Sequence, residues 1–262
     1  VHANARRAEA SGDRVLFRVV TWNIHRAIGV DRRFRPDRIV EVLAFHAPDV
    51  ALLQEVDDGV PRSARLDLAV EIAEALDFPH LAVGHNVRLR RGRYGNATLS
   101  RWPIARERNL DLTVGDRRPR GCQHTTLRVG RGGGRAHEVD VFNLHLGLTA
   151  RERERQIGAL SRSHEMASVP AGRACVVGGD FNDWRSLLAP ILREILGFRC
   201  ATERRPDRRG CLRTYPSFSP TGSLDRIYYR GPLHLLGARV CRLRLSRVAS
   251  DHRPVIVDFE LR

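Results

Sequence analysis

Apolar residues in this chain come in short runs that break off on polar clusters. FRVVTWNIH, VALLQEV, VDVFNLHLG, ACVVGGDFND, and ASDH ahead of RPVIVDFEL share that layout. Runs of this length, bounded by Gly, Pro and polar residues, predict buried strands, and a buried sheet delivers side chains from distant segments to one rim. Asn23, Glu55, His145, Asp180, Asn182, Asp251 and His252 are expected to converge there, although more than two hundred residues separate the first from the last.

Between the runs the period changes. PDRIVEVLAFH places Ile39, Val40, Leu43 and Ala44 at helical spacing behind Pro36, which suits a first turn, so a helix is predicted over residues 36–46. LDLAVEIAEALDF repeats the pattern, as does TARERERQIGALSRSHEMA, where Thr149 caps an acidic first turn. From 80 to 145 the strand-like runs HLAVG, YGNATLS, QHTTLRV and HEVDVFNL are separated by turns rather than helices, which predicts antiparallel hairpins. The class is α/β, with mixed sheets and helices outside. Residues 1–13 lack periodicity and read as a loose N-terminal segment. Residues 14–262 read as one domain, because any cut would split the constellation.

Composition narrows the chemistry. The formal net charge is +15 and all 45 basic residues are arginine, which excludes lysine nucleophiles and Schiff bases. Arginine-rich loops stand at VRLRRGR (87–93), GDRRPRG (115–121) and ERRPDRRGCLR (203–213). A solvated basic surface and a polyanion-binding role both account for them, and charge sign does not separate DNA or RNA from an anionic membrane surface. Five cysteines without a CxxC pair predict reduced, mostly core thiols of a cytoplasmic protein. No apolar stretch approaches the ~20 residues needed to cross a bilayer, and the first fifteen residues lack a signal core. No obligate protein partner is implied.

Hydrolysing a phosphate ester needs a cation on the phosphoryl oxygens, a positioned water, and donors for the developing charge. Glu55, Asp251 and the amide oxygen of Asn23 make an oxygen-rich site suited to Mg²⁺ or Mn²⁺ rather than zinc. In GGDFND, Asp180 is placed to orient or deprotonate water and Asn182 to donate to a phosphate oxygen; an Asx turn capping the next helix explains the same residues, and both can hold. His252 wants an acidic partner to fix its tautomer, and Asp225 in GSLDRIYY is the candidate. His145 would be a second imidazole in the same pocket, or else a hydrogen-bonded core histidine.

Taken in order, TWNIH, LLQEV, GNATLSR, NLHLG, GGDFND, SLDRIYY and SDHRPV resemble the endonuclease/exonuclease/phosphatase superfamily over residues 20–256. That group includes DNase I-like nucleases, AP endonucleases, inositol polyphosphate 5-phosphatases and neutral sphingomyelinases. The resemblance implies a four-layer α/β sandwich, two mixed sheets face to face with helices outside. It also implies Asn23, Glu55 and Asp251 at the metal, Asp180 and Asn182 as the water-orienting and phosphate-contacting pair, Asp225 and His252 as the acid and imidazole couple, His145 on the scissile phosphate, and Asn96 lining the substrate pocket. The AP endonucleases' YxPN element is missing, and TGSLDR stands where inositol phosphatases carry PAWCDR. DRIYY is similar to the tyrosyl-DNA phosphodiesterases, while PRG at 119–121 with HLGLTARERERQ looks most like small bacterial hydrolases of the group. The expected activity is Mg²⁺- or Mn²⁺-dependent phosphodiester hydrolysis of nucleic acid. Hydrolysis of a phospholipid headgroup or small phosphorylated molecule is the alternative, ahead of a non-catalytic binding protein.

Overall fold

A computed structural model describes residues 14–130, 136–203 and 210–262. The expected N-terminal segment, 1–13, and the centre of the third arginine loop, 204–209, lie outside the described residues. Two six-stranded sheets form the centre of the molecule. The first contains β1 (Val15–Asn23), β2 (Val50–Asp58), β3 (His80–Arg88), β4 (Arg93–Ser100), β11 (Leu233–Val240) and β12 (Val255–Leu261) in the order β11-β12-β1-β2-β4-β3. The second contains β5 (Ile104–Asp111), β6 (Gly121–Val129), β7 (His137–His145), β8 (Ala174–Asp180), β9 (Arg199–Cys200) and β10 (Asp225–Arg230) in the order β5-β6-β7-β8-β10-β9. Each sheet holds one parallel pair at its middle, β1 with β2 and β7 with β8, flanked by antiparallel neighbours, so both are mixed as expected.

Side-chain alternation along the central strands sorts the core into three layers. In β1, Val15, Phe17 and Val19 face the space between the sheets, together with Val50 and Leu52 of β2, Val139 and Val141 of β7, and Val176 of β8. Val20 and Trp22 point the other way, onto α1 (Pro36–His46) and α2 (Leu68–Ala75) through Ile39, Leu43, Leu68 and Ile72. On the far side, Phe142, Leu144 and Val177 pack against Ile157 and Leu160 of α3 (Ala150–Arg162). The result is helix, sheet, sheet, helix. Burying each such aliphatic or aromatic side chain is worth roughly 1.5–3 kcal/mol, and every central strand contributes on both faces.

Local signals behave as their chemistry requires. The Thr149 hydroxyl accepts from the Glu152 backbone N–H and starts α3, and Ser163 caps the short α4 (His164–Ala167) that follows. The helix expected over 149–167 is therefore two helices, broken at a residue whose side chain competes for backbone bonds. No helix among the described residues is long and apolar enough to cross a membrane. All five cysteines are free thiols, three of them buried.

Candidate active site

Parallel strands present their C-terminal ends to one lip, where ligands of open α/β sheets bind. Here the two parallel pairs end on Asn23 (β1), Glu55 (near the end of β2), His145 (β7) and Asp180 (β8). His145 and Asp180 stand opposite each other in register, and Asp225 is paired with Asp180 from the other side. Gly179 makes this possible: it has φ +144, and a Cβ there would lie 1.9 Å from the Leu144 carbonyl oxygen.

Asp180 is the meeting point. Its Oδ2 accepts from Asn23 Nδ2 at 3.1 Å and lies 3.5 Å from His145 Nε2 and 3.8 Å from His252 Nε2. Its Oδ1 accepts the Asn182 backbone N–H at 2.9 Å, so the Asx turn foreseen for GGDFND is present. The Asn182 amide donates to the Leu146 carbonyl at 2.9 Å, which ties it down and leaves its other N–H available. Arg226, buried behind this loop, donates to the Asp183 carbonyl at 2.6 Å and to Ser186 Oγ at 3.0 Å. Of the two features expected of D-x-N, the turn is present, and the amide is held by the Leu146 carbonyl.

The acid and imidazole couple is formed: His252 Nδ1 lies 2.8 Å from Asp225 Oδ2, with both residues buried. The Trp22 indole holds the His252 carbonyl at 2.9 Å, and Tyr215 packs on the ring at 4.9 Å between centroids. Burial disfavours the charged imidazole of His252, but the carboxylates of Asp225 and Asp180 overcome this and raise its pKa. His145 is driven the other way, well below the usual range, by burial and then by Arg120, His252 and Arg118. Asp180 is raised, by burial first and with Asp225 adding to it, while His252 opposes the shift. The surroundings thus favour the charged form of one imidazole and the neutral form of the other, and make the carboxylate between them more basic.

The oxygen side of the lip is built differently. A turn at His25–Ala27 has three consecutive residues at positive φ (46, 60 and 57), a costly backbone outside glycine. His25 Nδ1 lies 4.0 Å from Asp251 Oδ1, and Arg26 Nε lies 3.3 Å from Glu55 Oε2. Asn23 is joined to the Asp251 loop through its carbonyl, which accepts from Ser250 Oγ at 2.7 Å. Glu55 sits at φ +55 in a bulge where β2 slips against β4, which re-aims its carboxylate. Its Oε2 is buried without a hydrogen-bond donor. Glu55 Oε2, which makes no hydrogen bond and meets only the Arg26 guanidinium, lies on the strand paired with that of Asn23, and with the partly exposed Asp251 these oxygens are of the kind a hard divalent cation takes. Ligand atoms of Asp180, Asp225 and His252 also lie within 4.8 Å of one another. His252 there already engages Asp225 and is held protonated, which suits proton traffic better than ligation.

Asn96 lies in the pocket wall, but its Nδ2 donates to the carbonyls of Gly121 at 3.3 Å and Asn143 at 3.1 Å. With Gln54 donating to Asn143 Oδ1 at 2.8 Å, it belongs to an amide network that pins the sheets together beneath the lip. Motif reading missed His25, Arg26, Arg120 and the aromatic pair Tyr215 and Trp184, whose rings meet edge-on at 5.6 Å with Trp184 52% exposed. His25 ends TWNIH and Arg26 follows it, Trp184 follows GGDFND, and Arg120 stands in the arginine-rich 115–121 loop, so membership of or adjacency to these segments was the available signal.

A sequence model of the Endonuclease/Exonuclease/phosphatase family matches residues 20–252. The chain belongs to that family. Its members are hydrolases of phosphoric esters and depend on a divalent metal. Uncharacterized protein YbhP of Escherichia coli (strain K12) is 29% identical over 256 residues, covering 94% of this chain and 96% of its own length. The crystal structure of an endonuclease/exonuclease/phosphatase from Beutenbergia cavernae DSM 12333 is similar at a TM-score of 0.73 and 22% identity, over 94% of this chain and 72% of that one. A structure of ANGEL2, a 2′,3′-cyclic phosphatase in complex with adenosine-2′,3′-vanadate, matches at 0.73 and 17%, over 95% and 96% of the two chains. The fold is the DNase I-like α/β sandwich.

Proposed function

We propose that the chain is a divalent-metal-dependent phosphodiesterase acting on nucleic acid. The observation that carries the hydrolytic reading is the Asp180 carboxylate, met by Asn23, His145 and His252 within 3.8 Å. Asp180, made more basic by burial, orients the attacking water and accepts its proton. His252, held protonated by Asp225, donates to the phosphoryl or leaving oxygen. Neutral His145 and the free N–H of Asn182 hold the remaining phosphoryl oxygens. Glu55, Asp251 and Asn23 would hold the cation, which supplies Lewis-acid polarisation of the phosphate when bound.

Arginine placement favours a polyanion. The 87–93 loop caps the β3–β4 hairpin, where Arg93 pairs with Asp58 at 2.7 Å, three residues beyond Glu55, and the 115–121 loop leads straight into β6 beside His145. ANGEL2 was solved with an adenosine-derived ligand, in keeping with a nucleic-acid substrate class. Hydrolysis of DNA and RNA at low salt with Mg²⁺ or Mn²⁺ is expected, abolished by EDTA, reduced ~100-fold or more in Asp180→Asn, and falling steeply with ionic strength. Absence of nuclease activity under these conditions overturns the reading.

A second reading has its own support. Leu148 (73% exposed) and Trp184 are exposed apolar side chains close in sequence to His145 and Asn182, and the exposed Phe218 (66%) follows Ser217, whose N–H donates to the Asp251 carbonyl at 2.7 Å. With the net positive charge they suit an anionic lipid surface. Co-sedimentation with anionic liposomes together with headgroup release, and no nuclease activity, decides for this alternative.

A further inference from the structure

The five thiols are of two kinds. Cys122, Cys175 and Cys241 are buried in the apolar layers, and burial pushes the Cys122 and Cys175 thiols well up, the latter to about 12. Thiols in such surroundings stay protonated and inert. Cys200 and Cys211 are both partly exposed, and their side chains meet.

A reversal of the chain brings them together. Cys200 ends β9, where it pairs with Tyr228 of β10. Beyond it Glu203 bridges Cys211 in antiparallel fashion, and the Leu212 N–H donates to the Thr202 carbonyl at 2.8 Å. Ser223 Oγ donates to the Cys211 carbonyl at 3.0 Å and holds the returning segment from behind. Within this frame the Cys211 thiol hydrogen-bonds to the Cys200 sulfur, and Thr202 Oγ1 lies 3.3 Å from the same sulfur. Side chains already in contact, on segments tied to each other by backbone bonds, need little movement to reach disulfide geometry.

The surroundings also divide the labour between the two sulfurs. Cys200 is lowered, first by the hydrogen bond from Cys211, against burial, and then by Thr202 and the Arg226 guanidinium. Cys211 is raised, by the same bond and by burial. One sulfur is favoured as a thiolate nucleophile while its neighbour keeps the proton, which is the arrangement of a reactive cysteine beside a resolving one.

We propose that Cys200 and Cys211 form a peroxide-oxidisable dithiol, a modification site that closes reversibly into a disulfide across the base of the turn. This site stands independently of the phosphoesterase reading. In the first step the Cys200 thiolate attacks hydrogen peroxide: an S–O bond forms, the O–O bond breaks, and the leaving hydroxide takes up a proton to become water. In the second, the Cys211 sulfur attacks the Cys200 sulfenic acid. The S–S bond forms, the S–O bond breaks, and the hydroxyl leaves with the Cys211 proton as a second water. The sulfurs together give up two electrons, which the peroxide accepts, and a dithiol reductant reverses the change.

The test follows the thiols by mass. The reduced full chain is treated with a small excess of hydrogen peroxide in EDTA, unfolded, alkylated and digested with trypsin, which cuts at the arginines between the two cysteines. Wild type should lose the mass of two hydrogen atoms, keep Cys122, Cys175 and Cys241 alkylatable, and yield a Cys200–Cys211 cross-link within one chain that dithiothreitol releases. Cys211→Ser should stop at a Cys200 sulfenic acid that dimedone traps. In Cys200→Ser, oxidation of Cys211 should be ~10-fold or more slower than oxidation of Cys200 in wild type. Five alkylatable thiols in peroxide-treated wild type, or a cross-link only between chains, overturns the proposal. So does oxidation of Cys211 at the wild-type rate in Cys200→Ser. Should the serine variants not fold, iodoacetamide labelling of native wild type decides: Cys200 labelled ~10-fold or more faster than the three buried thiols supports the pair, and equal rates overturn it. A chain that forms this disulfide yet hydrolyses no ester keeps the dithiol and loses the proposed function.

Discussion

The two halves of the lip are finished to different degrees. On the second sheet, Asp180 is hydrogen-bonded through both carboxylate oxygens, and Asp225 holds His252, which reaches across from the first sheet, at 2.8 Å through Oδ2, its Oδ1 being buried without a donor. On the first sheet, Glu55 keeps a buried oxygen whose one charged neighbour among the described residues is the Arg26 guanidinium at 3.3 Å, Asp251 is a third exposed, and the turn that touches both has a strained left-handed backbone. Groups that move protons must be aimed before substrate arrives, so their partners are protein. Groups that receive a cation must be left short of partners, or the ion would have to break a bond to enter.

This contrast can be broken from either side. Asp225→Asn attacks the finished half. It leaves the His252 imidazole without its charged partner, and the expected outcome is a loss of about 3 kcal/mol or more in stability, seen as a large fall in Tm, with turnover falling as well. Unchanged stability would mean that the couple is not a real constraint on the fold. Glu55→Gln addresses the unfinished half. Metal-free stability should move by less than about 1 kcal/mol, while the Tm rise produced by millimolar Mg²⁺ or Mn²⁺ should shrink or vanish. A full metal response in this variant would move the ion away from Glu55.

The smallest effect lies far from the lip and serves as a reference. His46 ends α1 with Nε2 buried and unpartnered, and burial, helped by Arg239 and Arg18, lowers its pKa to about 4. The folded state resists its protonation, so the stability it confers is complete above the ordinary imidazole range and is lost as pH falls from there toward 4. Urea unfolding should show a flatter acid limb in His46→Gln than in wild type. The difference should stay under the ~1.4 kcal/mol per pH unit that one proton permits. Equal slopes would show that the ring is solvated in the native state.

Legibility followed burial. β1, β2, β7 and β8 were readable because both faces are packed and their runs are nearly continuous apolar sequence. β5 escaped notice: IARERNLD is an edge strand with most of its side chains in solvent, and its arginine and glutamate residues guard the edge rather than mark a strand. β11, at an edge of the other sheet, escaped for the same reason. Glu55 could be named from its motif, but not the bulge that aims it, because a register slip depends on the partner strand. Asn96 was legible as a pocket-wall residue, but that its amide hydrogens go to two carbonyls depends on the facing sheet.

Residue types and their order along the chain were enough to determine the alternation of strands and helices, the Thr149 cap, and which carboxylates, amides and imidazoles end up at strand termini. Those properties are local, set by side-chain period and by bonds within a few residues. Only the folded chain decided that the charged form of His252 and the neutral form of His145 would be favoured, that Arg26 would face Glu55, and that Arg120 would be buried beside the site carboxylates. Charge state and pairing depend on dielectric and on distances between segments as far apart as residues 23 and 252, and no one-dimensional pattern carries either quantity.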